Sequence, residues 1–224
     1  MKKFALIVAG GKGERMQADL PKQFIIIAEK PLLMHTIEAF YAYDKTIEIL
    51  LVLPAIHTDY WQMLCNKFHF TIPHKVIIGG ATRFHSVFNG LQVVSTNALV
   101  AVHDGVRPFV SKKTLENCFT AAKIYGSAVP SIALVDSIRY FDEKGNKSLN
   151  RSNYCLIQTP QVFLSNELLE AYKQPYNEFF TDDASVLEAM GKLIHLVEGN
   201  PENSKITTAN DLLLAEVYLS KQPK

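Results

Sequence analysis

Ala9-Gly10-Gly11-Lys12-Gly13-Glu14-Arg15-Met16, preceded by Phe4-Ala5-Leu6-Ile7-Val8 and followed by Pro21-Lys22, is the stretch that decides the fold. An apolar run passes directly into a glycine-rich loop that carries cations, which predicts a strand feeding an anion-binding turn. Glycine has no Cβ, so the N–H groups of Gly10, Gly11 and Gly13 can turn toward an anion. Arg15 and Lys22 supply the charge to neutralise a polyphosphate. Two familiar glycine signatures do not fit. A dinucleotide fingerprint needs a third small residue where Met16 stands, and a P-loop needs Ser or Thr after Gly-Lys, where Gly13 stands. By itself the segment leaves open a nucleotide loop and a tight turn with solvated charges.

The rest of the chain alternates. Strand-like runs recur at 47–53, 75–78, 99–102, 128–135 and 193–197, and helical patterns at 31–43, 55–68, 82–94, 111–125, 165–172, 182–190 and 208–219. Such alternation predicts an α/β fold, a mostly parallel sheet with helices on both faces, which binds ligands at the carboxyl ends of its strands. Gly79-Gly80, His103-Asp104 and Asp136-Ser137 all fall at such ends. One segment breaks the rhythm: 137–153, with a turn signal at 142–146, reads as a hairpin arm. A lone two-stranded hairpin is marginal in water, so Ile138, Tyr140 and Phe141 require another surface, either a second subunit or the arm's own domain.

Composition sets limits. A chain of 224 residues, 48% hydrophobic and 20% charged, fits a single domain over 1–224. A net charge of +1 argues against broad nucleic-acid or membrane surfaces, so positive charge matters only where it is concentrated. The apolar run after Met1-Lys2-Lys3 is shorter than the roughly 7–15 residues of a signal-peptide core, and no stretch reaches the roughly 18 of a membrane span. Cys65, Cys118 and Cys155 are widely spaced and imply no disulfide framework, and the expected location is the cytoplasm. Cys65, His69 and His74 lack the second ligand cluster that a zinc site would need.

Several segments carry chemistry, each with a plainer structural reading beside it. Asp104, at a strand end, could meet ribose hydroxyls or bind magnesium alongside nucleotide phosphates, or simply pair with Arg107. Thr82 is a possible N-cap after Gly79-Gly80, and Ser86, one turn on, could read a base edge beside the backbone of Gly80. Thr181-Asp182-Asp183 could serve a ligand or only cap a helix. Lys205 precedes the last helix, where a cation is unfavourable unless an anion is bound, which suggests a phosphate ligand.

Taken in order, A-G-G-x-G-x-R-M, P-K-Q-F, G-G-x-x-R-x-x-S-V, H-D-G-V-R-P-F, Q-T-P-Q, T-D-D-A-S and V-E-G-x-x-x-N-x-K-I-T cover nearly the whole chain. This series resembles the 2-C-methyl-D-erythritol 4-phosphate cytidylyltransferase family. The resemblance implies a Rossmann-like sheet of nucleotidyltransferase type, a protruding hairpin arm that dimerises, and transfer of cytidylyl from CTP to a polyol phosphate with Mg2+. It implies that Ala9, Gly10, Gly11 and Gly13 frame base and phosphates and that Gly80 and Ser86 read cytosine. Arg15 and Lys22 would clamp the triphosphate, and Asp104 and Gly105 would meet the ribose. The polyol phosphate would contact Arg107, Thr159, Thr181 and Lys205, with Ser137 and Arg151 supplied by the partner of a homodimer. Arg15, Lys22 and Lys205 would be the catalytic cations. Ala81 and Ser137 depart from the acid and the threonine that family members often carry there.

Two alternatives stand beside this resemblance. Ribitol-5-phosphate cytidylyltransferases resemble the same loop and P-K-Q-F, although Gly105 and Ala184-Ser185 lean toward the methylerythritol enzyme. A non-catalytic nucleotide sensor would use the same fold, against which the retention of Arg15, Lys22 and Lys205 speaks.

Overall fold

A computed structural model of the chain describes residues 1–11 and 21–220. In chain order the elements are β1 (Lys3–Val8), β2 (Ile26–Ile27), β3 (Lys30–Pro31), α1 (Leu32–Tyr43), β4 (Glu48–Leu53), α2 (Thr58–Lys67), β5 (Lys75–Ile78), α3 (Arg83–Leu91), β6 (Leu99–Asp104) and α4 (Lys112–Tyr125). There follow β7 (Ser127–Ala133), β8 (Ile138–Asp142), β9 (Gly145–Leu149), β10 (Cys155–Ile157), β11 (Gln161–Leu164), α5 (Ser165–Ala171), α6 (Asp183–Glu188), β12 (Leu196–Glu198) and α7 (Ala209–Ser220).

The main sheet has the order β10-β7-β11-β6-β1-β4-β5, with β12 added on β7. Strands β6, β1, β4 and β5 are parallel neighbours, while β11 runs antiparallel between β6 and β7. Side chains alternate across each strand, so β1 sends Ala5 and Ile7 to one face and Phe4 and Leu6 to the other. The first face is covered by α1, α2 and α4 through Ile37, Trp61 and Phe119; the second by α3, α5 and α6 through Val87, Leu168 and Leu187. Both faces are dry, which is why the central strands read as unbroken apolar runs. A smaller cluster of Ile27, Leu32, Phe109, Ile206 and Ala215 seats α7.

The chain leaves β1 toward β4 and β5, then returns to β6 on the other side of β1. The carboxyl ends of β1 and β6 therefore flank the point where strand order reverses, the place where open α/β sheets form a crevice. The loops at that rim are tied to the sheet: Ala9 N–H donates to Val52 O at 3.0 Å, Gly79 N–H to Leu53 O at 2.8 Å and Gly105 N–H to Val8 O at 2.9 Å. Gly105 needs its missing Cβ, which would lie 2.9 Å from the Ala9 Cβ. Gly126, at φ +85°, ends α4 in the left-handed conformation that glycine tolerates.

The expected alternation holds, with shifts at element ends. The helix expected over 55–68 is a short 3-10 turn followed by α2, and the strand expected over 193–197 is the shorter β12. Strands β10 and β11 were not expected. They are short runs on either side of Gln158-Thr159-Pro160, and β11 is paired on both sides by tertiary contacts that local pattern does not reveal. The hairpin is present as β8 and β9, paired with one another in a sheet of their own. Of its apolar side chains, Tyr140 and Phe141 are exposed, at 50% and 81%, while Ile138 and Leu149 are partly buried. Among the described residues no helix is long and apolar enough to cross a membrane.

Candidate active site

A cleft of about 320 Å³ opens at the β1/β6 crevice. Its wall is built from the loop after β1, the turn entering α3, the end of β6 and the segment before α7.

On the β1 side, Ala9, Gly10 and Gly11 line the cleft, and Pro21-Lys22-Gln23-Phe24 holds them there. Phe24 is buried against Tyr60 and Trp61, and Gln23 Nε2 donates to Ala9 O at 2.9 Å. Lys22 is carried on the same 3-10 turn, and its Nζ donates to Thr207 O at 2.6 Å, tying the loop after β1 to the segment before α7. Gly13 and Arg15 lie outside the described residues.

On the α3 side, Thr82 is the N-cap, its side chain accepting from His85 N–H. Ser86 comes one turn later, and its Oγ accepts from Gly80 N–H at 3.1 Å. Hydroxyl and backbone are thus held together at the cleft wall, as the spacing predicts. Arg83, on the same turn, points its guanidinium in two directions. Nη1 and Nη2 donate to Asp183 Oδ1 and Oδ2 at 3.1 and 2.6 Å, and Nε faces Asp104 Oδ1 at 3.6 Å.

Asp104, at the end of β6, is the electrostatic centre. Lys205 Nζ reaches its Oδ2 at 3.0 Å and Arg107 Nε the same oxygen at 3.3 Å, with Arg83 on the other oxygen. Burial opposes the charge, but the Arg83, Lys205 and Arg107 charges prevail and hold this carboxyl well below the usual carboxylate range. Behind it, Asp104 N–H donates to Thr159 Oγ1 at 3.1 Å, and that hydroxyl lies 3.0 Å from His103 Nδ1. Arg107 O can only accept, so His103 Nε2–H donates to it at 2.9 Å, which leaves Nδ1 of the neutral ring to accept from the Thr159 hydroxyl. Burial pushes His103 down to about 4, so the ring is a neutral spacer. Asn203 completes the frame: its Nδ2 donates to Thr159 O at 2.7 Å and its backbone carbonyl accepts from Arg107 Nη1 at 2.8 Å.

With this geometry, similarity to known proteins becomes specific. The family model described as 2-C-methyl-D-erythritol 4-phosphate cytidylyltransferase, IspD, matches residues 4–221. The chain belongs to this family. A relative of that name from Phocaeicola vulgatus is 51% identical over 219 residues, covering 98% of this chain and 100% of the relative. One from Porphyromonas gingivalis is 51% identical over 220 residues, covering 98% of each. Among solved structures, the 2-C-methyl-D-erythritol 4-phosphate cytidylyltransferase of Thermus thermophilus is similar with TM-score 0.77 and 31% identity, covering 98% of this chain and 100% of that one.

Against the residue set that the IspD resemblance implies, the cleft brings together Ala9, Gly10, Gly11, Lys22, Gly80, Ser86, Asp104 and Lys205. Gly105 and Arg107 stand directly behind Asp104. Thr159 is buried, with its hydroxyl engaged by Asp104 and His103. Thr181 is exposed, outside the cleft lining, just before the true cap Asp182, which forms a capping box with Ser185. Ser137 and Arg151 are exposed at the base of the hairpin, where Arg151 donates to Val135 O, and neither lines this cleft. The start of α7 is satisfied without Lys205. Asp211 supplies the anion at the start of α7, its Oδ2 accepting from Thr207 and Thr208 N–H at 2.8 and 2.7 Å, and Lys205 turns instead to Asp104.

Sequence reasoning passed over Gln23, Arg83 and Asn203. Each sits inside a quoted IspD motif, yet its partner is about 14 to 100 positions away, at Ala9, Thr159 or Asp183. The Q-T-P-Q motif likewise acts as a frame: Gln158 Nε2 donates to Asn200 O, and Gln161 bridges Asp182 and Ala184 at the start of α6.

Proposed function

We propose that this cleft transfers the cytidylyl group of CTP to 2-C-methyl-D-erythritol 4-phosphate, releasing pyrophosphate and forming 4-diphosphocytidyl-2-C-methyl-D-erythritol in non-mevalonate isoprenoid synthesis. The observation that carries the reading is charge. The described lining sets Lys22, Arg83 and Lys205 against one carboxylate, Asp104, in a chain of the cytidylyltransferase family. An excess of fixed cations in a cleft suits a polyanionic substrate.

The reaction is attack by a phosphate monoester oxygen on the α-phosphorus of CTP. A new P–O bond forms, the bond to the β-phosphate breaks, and its electron pair leaves with pyrophosphate. A monoester's second pKa is near 6, so the nucleophile is already ionised at neutral pH and no protein base is required. The barrier is anion meeting anion. At about 4 Å and an effective dielectric near 20 a unit charge pair interacts by roughly 4 kcal/mol, an upper guide to what each cation supplies before desolvation. In this reading Arg15 and Lys22 serve the triphosphate and leaving group, Lys205 and Arg107 the acceptor phosphate, and Ser86 with Gly80 the base. Asp104 and Gly105 face the ribose, and Thr159, its hydroxyl engaged by Asp104 N–H and His103 Nδ1, serves by holding Asp104 in place.

Mg2+ fits the donor set in one way. Among the described residues no group of three or more His, Cys, Asp or Glu forms a metal cluster, and Asp104 is the carboxylate on the lining. Its Oδ2 carries Lys205 and Arg107, while Oδ1 has the longer 3.6 Å approach of Arg83, so Oδ1 with nucleotide phosphates would hold the ion. Bound there, Mg2+ would supply further neutralisation of phosphate charge.

The same reading makes the protein a homodimer in which Ser137 and Arg151 of one copy complete the cleft of the other, and places it in the cytoplasm, which suits the free thiols of Cys65, Cys118 and Cys155. Pyrophosphate release is the test. CTP and Mg2+ are supplied with 2-C-methyl-D-erythritol 4-phosphate or ribitol 5-phosphate in separate reactions. Release with the first is expected. Release with ribitol 5-phosphate alone would overturn the acceptor, and CTP binding without release would make the protein a sensor.

A further inference from the structure

We propose that Asp183, outside the cleft lining, is a positioning residue for the nucleotide half of the site: it locks the guanidinium of Arg83, and Arg83 in turn fixes the Asp104 carboxylate at the cleft wall. The proposal rests on the reading of Asp104 as the group that faces the nucleotide.

Asp183 is fully buried in the first turn of α6, yet its carboxylate spends both oxygens on Arg83 across the second face of the sheet. Tyr172 Oη adds a donor to Oδ1 at 2.6 Å, and burial together with the Asp183 charge pushes the phenol well up, so it remains a donor. A guanidinium is planar, so fixing Nη1 and Nη2 also fixes the direction of Nε. That third donor faces Asp104 Oδ1. An ammonium at position 83 could neutralise one of the two carboxylates but could not span both with a rigid fork.

The arrangement is poorly explained as stabilisation alone. Burying an ion pair costs desolvation that its attraction often only balances, and apolar replacements of similar volume are frequently as stable. Here the pair instead links the buried side of α6 to a carboxylate on the cleft. Lys205 and Arg107 pull Asp104 Oδ2 from one side, and Arg83 alone among the described cations holds Oδ1 from the other. Without Arg83 facing it, Oδ1 has no fixed direction toward the nucleotide, while Oδ2 stays on Lys205 and Arg107.

The test separates CTP affinity from acceptor affinity and from folding. Calorimetric CTP binding, KM for each substrate, and melting temperature are measured for the wild-type protein, Asp183→Asn, Arg83→Lys and Tyr172→Phe. Asp183→Asn and Arg83→Lys are expected to weaken CTP binding and raise its KM about tenfold, with the acceptor KM within about twofold of wild type. Tyr172→Phe removes a partner of Asp183 but leaves the fork intact, and its CTP affinity is expected to stay at the wild-type value. If Asp183→Asn does not fold, Arg83→Lys, which keeps a cation beside Asp183, carries the test. Unchanged CTP affinity in Arg83→Lys, or an equal rise in both KM values, overturns the positioning role. Absence of CTP binding by the wild-type protein would overturn the functional reading and this proposal with it, an outcome distinct from wild-type binding with unaltered variants.

Discussion

The cleft and the hairpin are opposite solutions to carrying function on one chain. In the cleft each polar side chain is held by others: Asp104 by three cations, Thr159 between a backbone amide and His103, Gln23 on Ala9 O. The hairpin strands hold only each other among the described residues, with Tyr140 50% and Phe141 81% exposed. Exposed tyrosine and phenylalanine on a two-stranded ribbon are what a binding surface presents and what an independent module avoids. The contrast teaches that the cleft is preorganised within one copy, whereas the arm leaves aromatic side chains exposed that the proposed dimer would cover.

The comparison breaks most visibly at the cations. Lys22→Ala and Arg15→Ala are expected to lower kcat by about 10²–10³ while costing on the order of 1 kcal/mol of stability, as steady-state kinetics alongside denaturant unfolding would reveal. Loss of stability without loss of turnover would move these residues from the reaction to the scaffold. On the arm, Phe141→Asp is expected to weaken self-association by about 2–3 kcal/mol, the worth of one buried aromatic, and to leave CTP binding intact. Sedimentation equilibrium against protein concentration checks it, and an unaltered mass would mean that the arm has another purpose.

A smaller effect sharpens the cleft side. Thr159→Val keeps the shape but leaves Asp104 N–H and His103 Nδ1 unpaired, with an expected cost of about 1–3 kcal/mol in urea unfolding. The smallest expected effect is in pH. His103 is held near 4 in the fold against 6.5 ordinarily, so the unfolded chain binds the extra proton first and stability falls as pH drops through the window between those values. Between pH 7 and 5.5 the loss is about 1 kcal/mol from this group, and His103→Gln should flatten that part of the slope.

Much of this was legible in the sequence because it is local. Apolar runs such as 4–8 and 99–102 name central strands, Thr82 announces α3, and the turn at 142–146 announces the hairpin. What escaped was made by distance in sequence. Strand β11 is a strand because β6 and β7 flank it, and Arg83 gains its meaning from Asp183, a hundred residues on. Lys205 does not answer to the α7 terminus, because Asp211, in the first turn of α7, already accepts from the amides that a bound anion would meet. Thr181 drew notice as part of T-D-D-A-S, but the physical cap is its neighbour Asp182.

The central claim is that the cleft of one copy is completed by the hairpin of another, and subunit complementation tests it most directly. Lys22→Ala disables the cleft and leaves the arm, while Arg151→Ala disables the arm and leaves the cleft. Each protein alone is expected to release little pyrophosphate from CTP and 2-C-methyl-D-erythritol 4-phosphate. Mixed and allowed to exchange subunits, they form heterodimers in which one intact cleft faces one intact arm, and activity is expected to return. A mixture that exchanges subunits yet stays as inactive as its components would contradict the shared site.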